Sequence, residues 1–272
     1  MPLRAAAVAL MLSIAIAFPV AADTPSLATA IDEAIANAPG SVAVVVVDVA
    51  SGYRYERQSA TAFEAASLFK LYVMAAAYER ARSDPDFLTS TVAVVRPQVT
   101  NGTVVNVNTA ETVLAAMAQM IQWSDNAATA ALVDAIGLDA IATTLADLGL
   151  RDTVVRSAEP TGNVTTARDV AWFFEKLAAR DLVSRQGSDA MTWLLMHQDI
   201  NDRLPQGLPV GTLIAHKTGN SAGTYHDAGI IWTPYGTRVV VVMTDRLDGD
   251  AARALIEQIA YWSYSLPAPV VD

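Results

Sequence analysis

The sequence predicts an α/β fold of the α+β kind, in which a largely antiparallel sheet is flanked by helices and lies beside an all-helical lobe. Two observations support this prediction. Runs rich in β-branched residues lie near both ends of the 272-residue chain, and the stretch from Ser67 to about Asp199 has helical periodicity. Strands from both ends must pair in one sheet, so we expect a discontinuous sheet lobe (residues 23–66 and 203–272) around a helical lobe (67–202). Active sites favour the seam between such lobes.

The first 22 residues have the pattern of a secretory signal. Arg4 precedes an apolar run from Ala5 to Ala17, and "FPVAA" ends in small residues suited to cleavage after Ala22. The run is too short to predict a membrane anchor. The sequence contains no cysteine, which excludes a lipid attachment site and disulfides. We therefore expect a soluble monomer that is exported to the periplasm or secreted.

The other elements follow from periodicity and from turn residues. A helix at 26–36 precedes a buried strand at 41–49, and a turn leads to its hairpin partner at 53–58. After the helix that follows Ser67, the predicted helices span 113–121, 126–136, 138–148, 167–179 and 188–197. The strand signal returns at 213–218, 228–233 and 237–245, and a last helix spans 251–264. The Asn101-Gly102-Thr103 sequon is interpreted only as a loop.

Composition excludes several classes of partner. The formal net charge of −10 predicts repulsion from nucleic acid and from anionic lipid. The three histidines, at 197, 216 and 226, lack the regular spacing of metal ligands, so we expect neither a metal nor a cofactor. His226-Asp227 is interpreted as structural or substrate-contacting. The aromatic run Trp172 to Phe174 is predicted to pack inside the helical lobe.

A lysine in an apolar helix is the first sign of chemistry. The stretch "AASLFKLYVMAAAYERA" (65–81) is apolar around its whole circumference, which predicts a buried helix. It nevertheless contains Lys70, one of only three lysines in the chain, one turn after Ser67. Three residues span about 300° of a helix, so both side chains share a face. A desolvated lysine can accept a serine proton, although the lysine could instead extend to the surface.

Two later segments also allow either a catalytic role or an ordinary structural one. Ser124-Asp125-Asn126 stands at the entry to an apolar helix, where Asp or Asn serves well as an N-cap. Lys217-Thr218-Gly219 stands at the predicted end of a strand, where a lysine could be solvated at the edge. With Ser67 and Lys70, they form the ordered series S-x-x-K, S-D-N and K-T-G.

This series resembles the penicillin-recognising serine hydrolases, and the chain looks like their class A β-lactamases over nearly its whole predicted mature length. The resemblance implies the β-lactamase/transpeptidase fold. It implies that Ser67 is the acylated nucleophile, that Lys70 is its proton partner and that Ser124 relays a proton to the leaving nitrogen. Backbone N–H groups of Ser67 and Asn220 would form the oxyanion hole.

The remaining implied roles concern the substrate. Asn126 would hold the amide of the substrate side chain, while Lys217 and Thr218 would meet its carboxylate. Gly219 would let the substrate lie along the strand edge, because glycine has no Cβ. Asp125 is expected to be structural, tying its loop to neighbouring backbone.

Deacylation rests on a second motif. Glu159-Pro160 and Asn163 match the E-P-x-x-N of class A enzymes, in which the Glu positions a water. The resemblance implies that Asn163 contacts the substrate. Two departures concern this loop. The chain reaches Thr165-Thr166 almost at once, and Ala130 stands where the family usually has an Asn that supports the glutamate loop.

The preferred hypothesis is an exported class A-like serine β-lactamase that opens β-lactam amides through a Ser67 acyl-enzyme. A second hypothesis directs the same acylation at D-alanyl peptides or other amides and esters, with slow β-lactam turnover. A third is a penicillin-binding sensor without turnover. The predicted ligand in each case is a small β-lactam or a peptide-like molecule.

Overall fold

The computed structural model describes residues 25–100 and 102–269. Within these ranges the strands are β1 (Ser41–Asp48), β2 (Arg54–Arg57), β3 (Ala62–Glu64), β4 (Thr91–Thr100), β5 (Thr103–Thr112), β6 (Val164–Thr166), β7 (Ile214–Ser221), β8 (Thr224–Thr233) and β9 (Gly236–Asp245). The α-helices are α1 (Leu27–Ile35), α2 (Phe69–Ser83), α3 (Val113–Gln122), α4 (Asn126–Ile136), α5 (Leu138–Asp147), α6 (Ala167–Ala178), α7 (Arg185–Met196) and α8 (Gly249–Ser265). The predicted signal segment lies outside the described residues.

The large sheet has five antiparallel strands in the order β2-β1-β9-β8-β7, so strands from both ends of the chain meet in it. Successive residues of a strand point to opposite faces. In β1, Val44 and Val46 accordingly pack with α1 and α8, while Val45 and Val47 belong to the larger core that includes α2 and α6. A strand covered on both faces must be apolar throughout, which explains the valine run. The predicted antiparallel sheet flanked by helices is confirmed.

A β-hairpin that the sequence analysis did not predict interrupts the helical stretch. β4 pairs with β5 from Thr91↔Thr112 to Thr100↔Thr103. Of the predicted loop at 101–103, Asn101 lies outside the described residues and Thr103 is the first residue of β5. Val92 and Val94 are buried and alternate with exposed neighbours, which is the period of a half-covered strand. The stretch from Ser67 to Asp199 is therefore not entirely helical.

The helices agree with their predictions except at some ends. α4 spans 126–136 as predicted, and Gly137 follows it with φ of 88°. α7 begins three residues earlier than predicted, because the Ser184 side chain accepts from Gly187 N and caps the helix there. Along α2, all residues from Phe69 to Tyr78 are buried, which confirms that this helix lies inside the core.

The prediction for the aromatic run on α6 is wrong for Trp172. Phe173 and Phe174 are fully buried and meet edge to face, with ring centroids 5.5 Å apart. The Trp172 ring is 42% exposed, because it lies on the outer face of α6 and its Nε1 donates to Leu148 O at 2.8 Å. Trp172 therefore anchors the end of α5 at the surface.

Among the helices of the described ranges, none alone is long and apolar enough to cross a membrane. One pair, α4 and α5, meets the length and composition criterion jointly but is bent by 84° at its break. Buried residues of both helices belong to the core cluster, among them Leu132 and Ile141.

Candidate active site

Ser67 lies in a short 3₁₀ turn, Ala66–Leu68, that leads directly into α2. This differs slightly from the predicted first turn of the α-helix. Ala66 is fully buried and has a φ of 44°, a conformation that costs a non-glycine residue about 1–2 kcal/mol. Neighbouring chain holds the turn in place, since Ala65 N donates to Asn163 O at 2.8 Å. The serine is half-buried, and it directly precedes the part of α2 that is buried, Phe69 to Tyr78.

Lys70 is fully buried, and its Nζ contacts the S-D-N segment. It donates to Ser124 O at 2.6 Å, to Ser124 Oγ at 3.1 Å and to Asn126 Oδ1 at 2.7 Å. These three bonds use all the protons of an ammonium group, and none goes to the Ser67 hydroxyl. Burial lowers the pKa of Lys70 to about 8, while the charge of Asp125 opposes that shift. Loss of one proton near neutral pH would therefore give the amine a lone pair.

The S-D-N segment has the predicted position at the entry to α4. Asp125 is the N-cap, and its Oδ1 accepts from Ala128 N at 2.6 Å, as expected of a structural residue. Ser124 has a φ of 57°, again unusual for a non-glycine residue. Its Oγ lies 3.1 Å from Lys70 Nζ and 3.1 Å from Lys217 Nζ, so one hydroxyl bridges two lysines.

Lys217 lies in the middle of β7 and not at the end of a strand, because β7 continues to Ser221 in register with β8. The alternative of a solvated edge lysine is wrong, since the side chain is fully buried. Its Nζ donates to Ser124 Oγ and to Thr218 O, both at 3.1 Å. Burial lowers the pKa of Lys217 well below its usual range, and the nearby positive charge of Lys70 lowers it further.

Gly219 brings β7 close to the turn that carries Ser67. A Cβ at this position would lie 3.3 Å from each of Ala65 O, Leu68 Cγ and His226 Cδ2. The glycine therefore permits contact between two protein segments, which is a different use from the predicted passage of substrate along the strand. Together with the bonds of Lys70 and Lys217, this contact brings the three motif segments to one place.

The loop between α5 and β6 is organised by Asn163. This side chain is fully buried, and its Oδ1 accepts from Arg156 N at 2.8 Å and from Ser157 N at 3.3 Å. Its Nδ2 donates to Ser157 O at 3.2 Å and to Glu159 O at 2.7 Å. The amide is thus committed to loop backbone, and its predicted contact with substrate has no support in this geometry. Glu159 is exposed, and no described group donates a hydrogen bond to its carboxylate.

Replacing Asn163 by Ala should destabilise the protein by about 1–3 kcal/mol, because the loop backbone groups that bond to this buried amide would lose their partners. The free energy of unfolding from urea titration measures this. Asn106→Ala, at an exposed site on β5, is the matched control and should change it by less than about 0.5 kcal/mol. Equal values for the two variants would contradict the assigned structural role.

A cleft of about 450 Å³ lies next to this loop. Its lining includes Ala130 and Ala127 of α4 together with Arg156, Ser157 and Ala158 of the loop. The short Ala130 side chain leaves this space open beside the segment that precedes Glu159. The loop is therefore tied through Asn163 and not through a side chain of α4 at position 130.

A buried polar group behind β7 was not predicted from the sequence. Arg203 is fully buried, donates to His226 O at 3.0 Å, and has an Nη2 without a hydrogen-bond partner among the described residues. His216 Nδ1 lies 2.9 Å from Asp227 Oδ1, and Asp227 Oδ2 accepts from Leu204 N. The sequence pattern around Arg203 does not predict that this side chain is buried. Only folding brings it close to the K-T-G segment.

Of the two roles considered for His226, structural and substrate-contacting, its contacts match the structural one. Its Nε2 donates to Glu64 O at 2.8 Å and its Nδ1 accepts from Thr244 N at 3.1 Å. Burial lowers the pKa of His226 to about 4, so the ring is neutral at physiological pH. Across the described ranges, no group of three or more His, Cys, Asp or Glu side chains is arranged to hold a metal ion.

Comparison with known proteins assigns the chain to a family. The model of the beta-lactamase enzyme family matches residues 26–264. This chain belongs to the beta-lactamase enzyme family. Members act as serine hydrolases, so the chain is a β-lactamase-like serine hydrolase, and the S-x-x-K, S-D-N and K-T-G resemblance is confirmed.

Relatives and solved structures agree with this assignment. A beta-lactamase of Streptomyces lavendulae is 28% identical over 78% of this chain and 77% of its own length. A beta-lactamase structure from Sphaerobacter thermophilus has a TM-score of 0.78 at 27% identity, covering 89% of this chain and 98% of that one. The structure of PBP-A has a TM-score of 0.79 at 25% identity, covering 88% of this chain and 94% of that one. A point mutant of PBP-A, at 26% identity, is described as an acyl-enzyme complex with penicillin G.

Proposed function

We propose that this protein is an exported β-lactamase that opens β-lactam amides through an acyl-enzyme on Ser67. The observation that supports this most strongly is the Ser124 hydroxyl held 3.1 Å from two buried lysines, beside the turn that carries Ser67. The substrate would lie in the cleft between the sheet lobe (residues 23–66 and 203–272) and the helical lobe (67–202).

Acylation proceeds by proton transfers among these groups. Neutral Lys70 takes the proton of the Ser67 hydroxyl as its Oγ bonds to the lactam carbonyl carbon. The carbonyl oxygen becomes an oxyanion, which the backbone N–H groups of Ser67 and Asn220 stabilise. When the C–N bond breaks, Ser124 donates its proton to the nitrogen and recovers one from Lys70. The amine is then neutral again and the acyl group is on Ser67.

Substrate recognition uses the positive charge behind β7. Lys217 is buried beside Ser124, and burial lowers its pKa most, while the positive charges of Lys70 and Arg203 lower it further. A carboxylate on the substrate would offset this repulsion. Thr218 would bind the same carboxylate, and Asn126 would bind the side-chain amide. An anionic β-lactam, as opposed to a neutral ester, fits this site.

The position of Glu159 supports a second candidate, a penicillin-binding protein that releases product slowly. The carboxylate is exposed and accepts no hydrogen bond from the described residues, so no contact among them fixes its position relative to Ser67. Deacylation would then depend on movement of the loop or on water alone. The two candidates share acylation and differ only in the lifetime of the adduct.

One experiment tests both. Purified protein is mixed with a chromogenic cephalosporin, and colour and intact mass are followed together. Many turnovers per protein support a β-lactamase. A persistent adduct with one equivalent of colour supports a penicillin-binding protein that releases product slowly. Folded protein that gives neither colour nor adduct contradicts the proposed acylation. Mass of the secreted protein also shows whether residues 1–22 are removed.

Replacing Glu159 by Gln should change kcat by less than about threefold if the exposed position persists in the acyl-enzyme. Single-turnover kinetics with mass detection separates acylation from deacylation. Glu79→Gln, on the far end of α2, controls for loss of a surface charge. A deacylation rate that falls about 10²-fold or more, with acylation unchanged, would show instead that Glu159 activates the water.

A further inference from the structure

Arg96 lies on β4 of the unpredicted hairpin, opposite Val107 of β5, and contacts the segment that carries Ser124. Its Nε lies 3.4 Å from Asp125 Oδ2 and its Nη1 donates to Glu111 Oε1 at 2.6 Å. Its Nη2 also donates to Gln119 Oε1 of α3. One guanidinium group, 27% exposed, thus joins the hairpin, α3 and the S-D-N segment.

Asp125 divides its two oxygens between different tasks. Oδ1 caps α4 through Ala128 N, while Oδ2 faces Arg96. The backbone is held too, since Asp125 N donates to Gln119 O at 3.1 Å. Arg96 and Gln119 therefore fix Asp125 from the side opposite to α4.

The residues on both sides of Asp125 hold the Lys70 amine. All three hydrogen bonds of Lys70 end on Ser124 or Asn126. Ser124 also has a positive φ, which persists only where surrounding contacts enforce it. A shift of Asp125 would move the hydroxyl that bridges Lys70 and Lys217.

Arg96 also balances charge near the amine. Asp125 is the carboxylate whose charge raises the pKa of Lys70 against the effect of burial. The other charged group beside Lys70 is Lys217 of β7, a like charge. The positive charge of Arg96 weakens the attraction between Asp125 and a protonated Lys70 amine. The negative charge of Glu111, on the other side of Arg96, partly cancels that weakening. Loss of the guanidinium charge would favour the protonated amine.

We infer that Arg96 is a positioning residue for the reaction: it holds Asp125 so that Ser124 and Asn126 keep Lys70 in place and in a state able to accept a proton. This inference rests on the proposed function. The competing interpretation is that Arg96 only stabilises the hairpin through Glu111. The two differ in what happens to the Lys70 amine when Arg96 is replaced.

The lysines allow a direct readout, because only Lys70, Lys176 and Lys217 are present in the chain. Protein labelled with ¹³C at the lysine ε-carbon gives three signals whose pH titration reports each amine, and Lys70→Met assigns one of them. Arg96→Gln should move the Lys70 midpoint to higher pH, since a positive charge beside Asp125 is removed. It should also lower kcat/KM by about 10–100-fold, as expected of a misplaced catalytic group.

Glu111→Gln is the matched control. It breaks the same ion pair and weakens the hairpin, yet it removes a negative charge, so the Lys70 midpoint should stay or fall and kcat/KM should remain within about threefold. Arg96→Lys keeps the charge and should keep the midpoint, with an intermediate kcat/KM because the planar fork is lost. If Arg96→Gln does not fold, Arg96→Lys compared with Glu111→Gln decides the question.

Folded Arg96→Gln with the wild-type Lys70 midpoint and kcat/KM would overturn the inference, as would equal effects of Arg96→Gln and Glu111→Gln on both readouts. For Arg96→Lys, a kcat/KM no lower than that of Glu111→Gln would overturn it as well. Failure of the proposed function looks different. The wild type would then give neither colour nor adduct, while the titration of Lys70 in the two variants would still test the positioning by Arg96.

Discussion

Replacing Ser67 by Ala is expected to reduce kcat/KM for a chromogenic cephalosporin by about 10⁴-fold or more, because the atom that carries the acyl group is removed. No adduct should be found by intact mass. The fold should be unaffected, since Ser67 is half-buried and its hydroxyl makes no hydrogen bond with other described residues. Steady-state kinetics and the thermal midpoint measure the two effects.

Ser83→Ala is the matched control for this loss. Ser83 is the last residue of α2, the helix that follows the Ser67 turn; it is exposed and donates only to Arg80 O. Its kinetics should equal those of the wild type. Substantial turnover by folded Ser67→Ala would show that another group is the nucleophile.

Replacing Lys70 by Met is expected to lower kcat/KM by about 10²–10⁴-fold, because the group that takes the proton from Ser67 is lost. In the wild type, only the neutral amine can accept that proton. With a Lys70 pKa of about 8, kcat/KM should therefore rise with pH through this value and level off above it. Below the pKa, each unit of pH should reduce kcat/KM by about tenfold.

Lys176→Met controls for the removal of an ammonium group. Lys176 lies on α6, pairs with Asp181 at 2.9 Å and takes no part in the site. It should leave both kcat/KM and the pH profile unchanged. A wild-type profile that is flat from pH 6 to 9, with acylation shown to limit the rate, would exclude neutral Lys70 as the base.

The parts of the site that sequence could predict are those fixed by local pattern. Lys70 stood out because the helix around it is apolar on every side, and burial of that helix follows from the same pattern. Asp125 was recognised as a structural cap from its place before an apolar helix. The antiparallel sheet followed from valine runs such as that of β1, which two covered faces require.

The parts that escaped prediction depend on distant contacts. Trp172 has the same apolar character as Phe173, and only the rotation of α6 in the folded chain exposes it. Arg203 and Arg96 look like ordinary surface arginines in the sequence, and their partners lie 23 and 29 residues away or in other elements. The hairpin was missed because the helical periodicity on both sides was extended across it, although its strands are rich in valine and threonine.

The pairing of β1 with β9 has a consequence for when the site forms during folding. Val45 and Val241 are neighbours in the sheet although about 200 residues separate them in the chain, and such non-local pairing forms late and slowly in folding. Lys217 joins Ser124 only when β7 docks beside this sheet. On the proposed mechanism, a nascent chain that already carries Ser67 and Lys70 should therefore form no acyl-enzyme until synthesis has passed β9.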